Sequence, residues 1–421
     1  MVWGMRTNQT TASSHHNADK TPGPATLLFS HAFRPFFLAA GVYAVLALVA
    51  WLAWIAIHAV GAMPAYMTVA EPLHLWHAHE MVFGFAAAAA GGFLLTAVPS
   101  WTGAKHSKGR VLVFMFSLWC IGRVAMWGTA VFPPVLVVVL DLAFLPVLGL
   151  AAAKQLAVQP ALRNVIFLSL IGALIGGNVL YHLGRLDLIE GGMTYGVRFG
   201  LASFVIMIMV IGGRVIPGFT TNALRRSGTV DEAALPRSIP AVNMASLVLS
   251  VATLGLYVLR VQPELVGILS LLAALANAVR LAGWRTLATL SSPILWVLHL
   301  GYAWIVIGFV LLGISSFTNW MSEAAAMHAF GTGAAGTMIL AIMTRASLGH
   351  TGRGLVVPGS IVAAYVLVSV AAVLRCFAPA ALPHFYNEIM LAAGGAWMIG
   401  YGLFVFVFTP ILLGPRVKRK S

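Results

Sequence analysis

The chain is 421 residues long, 60% hydrophobic and only 9% charged, with a formal net charge of +14. Soluble domains carry about 25% charged and 45–50% apolar residues, so this composition excludes a soluble globular fold. Lys and Arg sit singly in short loops rather than along a stripe, which reads as membrane topology and excludes a nucleic-acid-binding face.

Residues 1–30 are polar, with neither an apolar core nor a small-residue cleavage site, and read as a disordered cytoplasmic tail rather than a signal peptide. Windows of roughly 20 apolar residues then predict twelve membrane spans. They fall near Phe36–His58, His74–Val98, Val111–Val131, Val135–Ala153, Val165–His182, Val197–Ile216, Val242–Leu259, Pro263–Ala282, Ile294–Ser315, Glu323–Thr344, Leu355–Phe377 and Asn387–Leu412. The expected architecture is all-α: a twelve-helix transmembrane domain over 31–415, closed by a basic tail at 416–421. Cys120 and Cys376 lie inside apolar segments and form no CxxCH, so any haem is expected to be held non-covalently.

Twelve spans put both termini on one side. Arg6, Lys20, Arg34, Lys105, Lys108, Arg110, Lys154, Arg163, Arg225, Arg226, Arg237, Arg285 and Arg353 fall on that side, against Arg185, Arg260 and Arg375 opposite. The positive-inside rule makes the terminal side cytoplasmic.

The densest chemistry is at the outer mouth of the second span, where His74, His77, His79 and Glu80 precede an almost uncharged run to Pro99. Titratable side chains are expensive at membrane depth and mark function by default. Neutral imidazole suits copper and haem iron. On a helix starting at Pro72, His74, His77 and Glu80 follow at i, i+3, i+6 along roughly one face. His79 is turned about 200° from His77. The motif therefore divides into a small-metal face and a separate haem-ligand candidate. On the same outer side His182 closes the fifth span, Arg198 opens the sixth and His328 opens the tenth.

An internal repeat relates two of these spans. His79 precedes Gly103 by 24 residues (103 − 79), and His328 precedes Gly352 by 24 (352 − 328). The sixth span fits the frame through its Arg214–Pro217 run, parallel to Thr96–Pro99, and Asp141, Asn277 and Trp397 echo one another in the fourth, eighth and twelfth. Three four-helix repeats would give a pseudo-threefold bundle with His79 and His328 at one repeat position. Small residues follow both histidines, Ala86 and Ala90 in one span and Gly331, Gly333, Ala335 and Gly336 in the other. They would admit a flat macrocycle, or let helices pack closely.

Other residues keep two readings. His299 either binds a cofactor or bonds to a neighbouring helix; His350, in a Gly-rich turn, either caps a helix or meets a cofactor propionate beside Arg353. His31 belongs to the same inner set. Arg198 and Arg345 either snorkel to the interface or hold carboxylates in bidentate fashion. Arg123, inside the third span, has Asp141 as its natural partner.

Four stretches carry a family likeness: His31–Leu38 (HAFRPFFL), Trp76–Gly103 (WHAHEMVFGFAAAAAGGFLLTAVPSWTG), Trp296–Gly308 (WVLHLGYAWIVIG) and Met327–Arg353 (MHAFGTGAAGTMILAIMTRASLGHTGR). They resemble the NnrS family of bacterial membrane proteins. The resemblance implies a twelve-helix inner-membrane protein that contains haem and copper and is associated with denitrification and the response to nitric oxide. Haem b, copper, the lipid bilayer, nitric oxide and a respiratory electron donor are the expected cofactors and partners. The threefold arrangement is also similar to the core subunit of haem–copper oxidases, with departures: the sixth span has no histidine and none of the spans holds an adjacent His-His pair.

The expectation is that His79 and His328 bind haem and that His74, His77 and Glu80, with His182, bind copper. His31, His299, His350, Arg198 and Arg345 are further cofactor contacts. A nitric-oxide-processing oxidoreductase is one reading; a proton-coupled transporter or metal-ion carrier using the same outer histidines is the alternative.

Overall fold

The computed structural model describes residues 23–62 and 68–417. Twelve helices among them are long and apolar enough to cross a membrane. They are α1 (Phe33–Ala59), α2 (Leu73–Thr102), α3 (Arg110–Trp127), α4 (Pro134–Leu156), α5 (Val165–Arg185) and α6 (Gly192–Arg226), followed by α7 (Pro240–Val258), α8 (Pro263–Ala282), α9 (Pro293–Phe317), α10 (Glu323–His350), α11 (Gly359–Ala381) and α12 (Pro383–Leu413). No strand occurs among the described residues, so this is an all-α polytopic membrane fold.

Local chemistry sets the helix ends. Pro134, Pro240, Pro263 and Pro293 each open a helix, where a missing N–H costs nothing and φ is already helical. The sixth span was expected to end near Ile216, yet α6 continues through Pro217 to Arg226. Membrane helices tolerate interior proline because neighbouring groups satisfy the freed carbonyl. α3 stops at Trp127, short of the expected Val131, because Gly128 to Phe132 fold into a tight turn. Of the expected N-terminal tail, residues 1–22 lie outside the described residues and Pro24–Leu28 is a short helix.

The repeat is real in the backbone. α2 and α10 each contain a π-helical stretch, Glu80–Ala86 and Ala329–Gly336, immediately after His79 and His328. Each helix is followed by a left-handed glycine, Gly103 with φ 70 and Gly352 with φ 77. The offsets agree: 329 − 80 and 352 − 103 are both 249. π-turns inside α-helices are rare and gather at functional sites.

The fourth helix of each repeat bonds to the first helix of the next. Asp141 accepts from Asn178 of α5 at 2.9 Å, Asn277 from Tyr302 of α9 at 2.6 Å, and Trp397 donates to the Ala44 carbonyl of α1 at 3.1 Å. The last link joins the end of the chain to its beginning, so the twelve helices form a closed ring. α2 and α10 are the most enclosed, with 83% and 72% of their apolar windows buried, while α6 reaches only 56% and is the outlier of the three repeat-related helices.

Close crossings need glycine. A Cβ on Gly196 of α6 would lie 2.4 Å from the Tyr181 nitrogen and 2.5 Å from the Gly177 oxygen, both backbone atoms of α5. Gly333 and Gly336 likewise let Trp304 and Trp397 rest on bare backbone. These two serve helix packing, whereas Ala86, Gly331 and Ala335 line the chamber described next.

Candidate functional site

At the end where α2 and α10 begin, α1, α2, α6, α10, α11 and α12 enclose a chamber of about 570 Å³. Its walls are mainly apolar, and Ala78, Ala86, Gly331, Ala335, Ala393 and Gly394 leave flat stretches of backbone facing it. Its charged and imidazole groups are few, His74, His77, Arg198, Glu323, His328 and Arg375, joined by the hydroxyls of Thr194, Tyr257, Thr332 and Tyr386. A sizeable apolar pocket with a handful of converging polar groups is the usual form of a small-molecule or cofactor site.

Two chamber histidines each keep a ring nitrogen without a protein partner. The His328 ring donates from Nδ1 to the Ala324 carbonyl at 2.7 Å, which leaves Nε2 with its lone pair free. The His77 ring stacks on Trp51 with centroids 4.7 Å apart and planes 10° from parallel, and its Nδ1 is buried without a partner. His77 and His328 lie within electrostatic reach of each other, and Arg375 within reach of both. Arg198 pairs with Glu323 at the mouth and lies over the Tyr257 ring at 4.8 Å. Arg375 has no acidic partner among the described residues.

Behind α2, on the side away from the chamber, a second polar group is wholly enclosed. His79, Glu80, Asp141, Asn178 and His182 are each at most 2% exposed, and Arg123 is 6% exposed. Arg123 donates to Glu80 at 2.5 Å and to Asp141; Tyr43 donates to Glu80, and Trp127 to the Tyr43 oxygen at 2.8 Å. His79, Asp141 and His182 present ligand atoms within 4.8 Å of one another.

The two-face division of the histidine motif therefore holds, but its contents change. The space for a large flat group lies on the His74/His77 face and not at His79, which is turned into the enclosed cluster. The expected set of His74, His77, Glu80 and His182 is not brought together. Glu80 is drawn to Arg123 and Tyr43, where its carboxylate finds partners in a low-dielectric interior, and His182 bonds to Asp141 at 2.9 Å. His79 and His328 share a repeat position but not a site. The Arg123–Asp141 pair is as expected.

Among the described residues the inner set is spread over separate local contacts. His299 is buried with Nε2 3.0 Å from the Thr220 hydroxyl and Nδ1 3.0 Å from that of Thr286, so both nitrogens are occupied by neighbouring helix and loop. Arg345 lies flat over Phe219 at 3.7 Å, and His350 stacks on Phe33 at 5.4 Å. His31 is exposed, 6.1 Å from His106 between ring centroids. Partial burial, and then the positive charge of Arg34, His106, His350 and Arg416, lower its pKa from the ordinary 6.5.

Sequence reasoning missed Tyr43, Trp51, Asn178 and Arg375. The first three are neutral and carry no motif. Arg375 had a signal, as one of three arginines on the sparsely charged side.

Fold and chamber together define a multi-pass, all-α membrane protein with a histidine-lined chamber at one end of a closed helical ring. The chain belongs to the NnrS family: the family model described as NnrS protein matches residues 27–416, nearly the whole chain. No curated protein matches it.

Proposed function

We propose that this chain is a haem-binding protein of the bacterial inner membrane that handles nitric oxide in denitrification or nitrosative stress, with both termini cytoplasmic and the chamber opening to the periplasm. The observation that carries the reading is the chamber: two histidines positioned for ligation among small wall residues, with one arginine lacking an acid. The residues fit haem b. His77 and His328 offer imidazole nitrogens, and Arg375 and Arg198 offer guanidinium groups to the propionates. Haem iron held there would supply a site at which nitric oxide binds.

The chain's own part is to position and to exclude. Trp51 fixes the His77 ring plane, the Ala324 carbonyl fixes the His328 tautomer, and Phe85, Phe204 and Trp397 close the inner end of the chamber against water. Electrons would come from a respiratory donor. Copper, the second metal implied by family likeness, has only His74 and His77 as close imidazoles on α2 in the chamber, because Glu80 and His182 face elsewhere.

The test is the optical spectrum of the purified protein. A Soret band that shifts or disappears in His77→Ala and His328→Ala, and persists in His79→Ala, is expected. A colourless protein, or a band that depends on His79 alone, would overturn the reading.

A further inference from the structure

Four aromatic rings form a column between the outer surface and the chamber. His58, Trp54 and Trp51 lie on one face of α1, four and three residues apart. The His58 ring sits 4.2 Å from that of Trp54 between centroids, and it donates from Nδ1 to the Trp54 carbonyl at 3.1 Å. Trp54 stacks on Trp51 at 5.1 Å with planes 19° apart, and Trp51 stacks on His77 of α2 at 4.7 Å and 10°. His58 is exposed in the last turn of α1, and the two indoles are half-buried.

Packing alone does not call for this column. Of the three α1 rings, Trp51 lines the chamber and is enough to fix the His77 ring plane, whereas Trp54 and His58 lie outside its walls. Interfacial tryptophans anchor a helix by placing single amphipathic rings at headgroup level. Here near-parallel rings cover one another's faces, so that one π-system meets the next from Trp54 to His77. Delocalised electrons in face contact couple more strongly than saturated side chains over the same distance. An indole face carries no exchangeable proton, so the column suits electrons and not protons.

We propose that His58, Trp54 and Trp51 pass electrons, one at a time, from a one-electron carrier in the outer aqueous phase to the His77 ring. The route rests on the haem reading, in which His77 is an axial ligand and the last ring therefore touches the acceptor. In each passage the external carrier loses one electron and ferric haem iron gains it. No bond forms or breaks, no proton moves, and the four rings end as they began. The chain's part is to hold the rings in register: helix spacing places Trp54 against Trp51, and the bond to the Trp54 carbonyl keeps the outermost imidazole over the indole. The carrier need approach only the exposed end of α1, and it can deliver its electron without entering the chamber.

The experiment attaches a ruthenium tris-bipyridine label to full-length protein at Val60→Cys, an exposed position beside His58, and follows by flash photolysis how fast the Soret band of reduced haem appears. Cys120→Ser removes the other reachable thiol, since Cys376 is buried. A second label at Leu382→Cys, exposed at the outer end of α11, approaches the chamber without the column. Trp54→Leu should slow electron arrival from Val60→Cys at least tenfold, and Trp54→Phe should restore most of the rate. Neither should alter arrival from Leu382→Cys or the resting Soret spectrum. In haem-free protein, oxidative quenching of the Val60→Cys label should leave a tryptophan radical, seen by electron paramagnetic resonance and lost in Trp54→Leu. An unchanged rate in Trp54→Leu overturns the proposal while the Soret band keeps the haem reading intact. Equal slowing from both labels, or a radical that survives Trp54→Leu, overturns it in the same way. A protein without a Soret band overturns both readings.

Discussion

Replacing Gly196 by alanine should part the two helices that join chamber and cluster. The added Cβ would sit 2.4 Å from the Tyr181 nitrogen and 2.5 Å from the Gly177 oxygen, against an ordinary contact of 3.4 Å or more. Both obstacles are backbone, so no side chain can swing aside and α5 and α6 must separate by about 1 Å. A gap of that size forfeits a quarter to a half of each dispersion contact along the crossing. Overpacking costs about 1–3 kcal/mol, and a backbone obstacle puts this case at the upper end. Gly172→Ala on α5 is the control: nothing lies within 4 Å of its Cβ, and helix propensity adds up to about 1 kcal/mol. Unfolding of both variants in mild detergent, followed by circular dichroism, should place Gly196→Ala below wild type and Gly172→Ala at or above it. If the two variants unfold together, the crossing is not packed as described.

The remaining predictions concern charge and orientation. Arg123→Met leaves Glu80 and Asp141 buried without their cation and should cost about 3–5 kcal/mol; adding Asp141→Asn and Glu80→Gln should recover most of it in the same unfolding assay. His31 has a lowered pKa, so below pH 6.5 the unfolded chain binds the proton more readily and stability falls with acidification. His31→Gln should flatten the dependence of melting temperature on pH between 5 and 7, and an unchanged slope would deny His31 that role. Gly336→Ala, with a Cβ 2.4 Å from the Trp397 ring, should push the indole towards the chamber and weaken haem retention relative to Gly395→Ala, which meets nothing within 4 Å.

The fold was largely legible because the signals that specify it are local. Apolar run length located all twelve helices, and the shared 24-residue spacing after His79 and His328 marked a repeat that the backbone confirms through its paired π-stretches. Helix angles alone also separated His79 from His74 and His77. What they could not show was what stands opposite each face. Glu80 lies only three positions after His77, yet Arg123 and Tyr43 from other helices decide where its carboxylate points. The choice between the two faces as the larger space depended on side chains of α1, α11 and α12, hundreds of residues away in some cases. Asn178 and Trp51 had no reason to stand out in an apolar sequence, since their importance comes from a neighbour's ring or lone pair.

The closed ring bears on chain connectivity. Arg34 at the start of α1 donates to the Leu412 carbonyl at 2.5 Å and the Gly414 carbonyl at 2.8 Å, so the beginning and end of the bundle are already stitched together. The connection between the first two repeats is exposed at Val158–Pro160, on the same side of the bundle as the termini. A circular permutant with the old ends fused and the chain opened there keeps every helix neighbour and every ring-closing bond. Which helices meet, rather than their order along the chain, then defines the architecture, and the second repeat can precede the first.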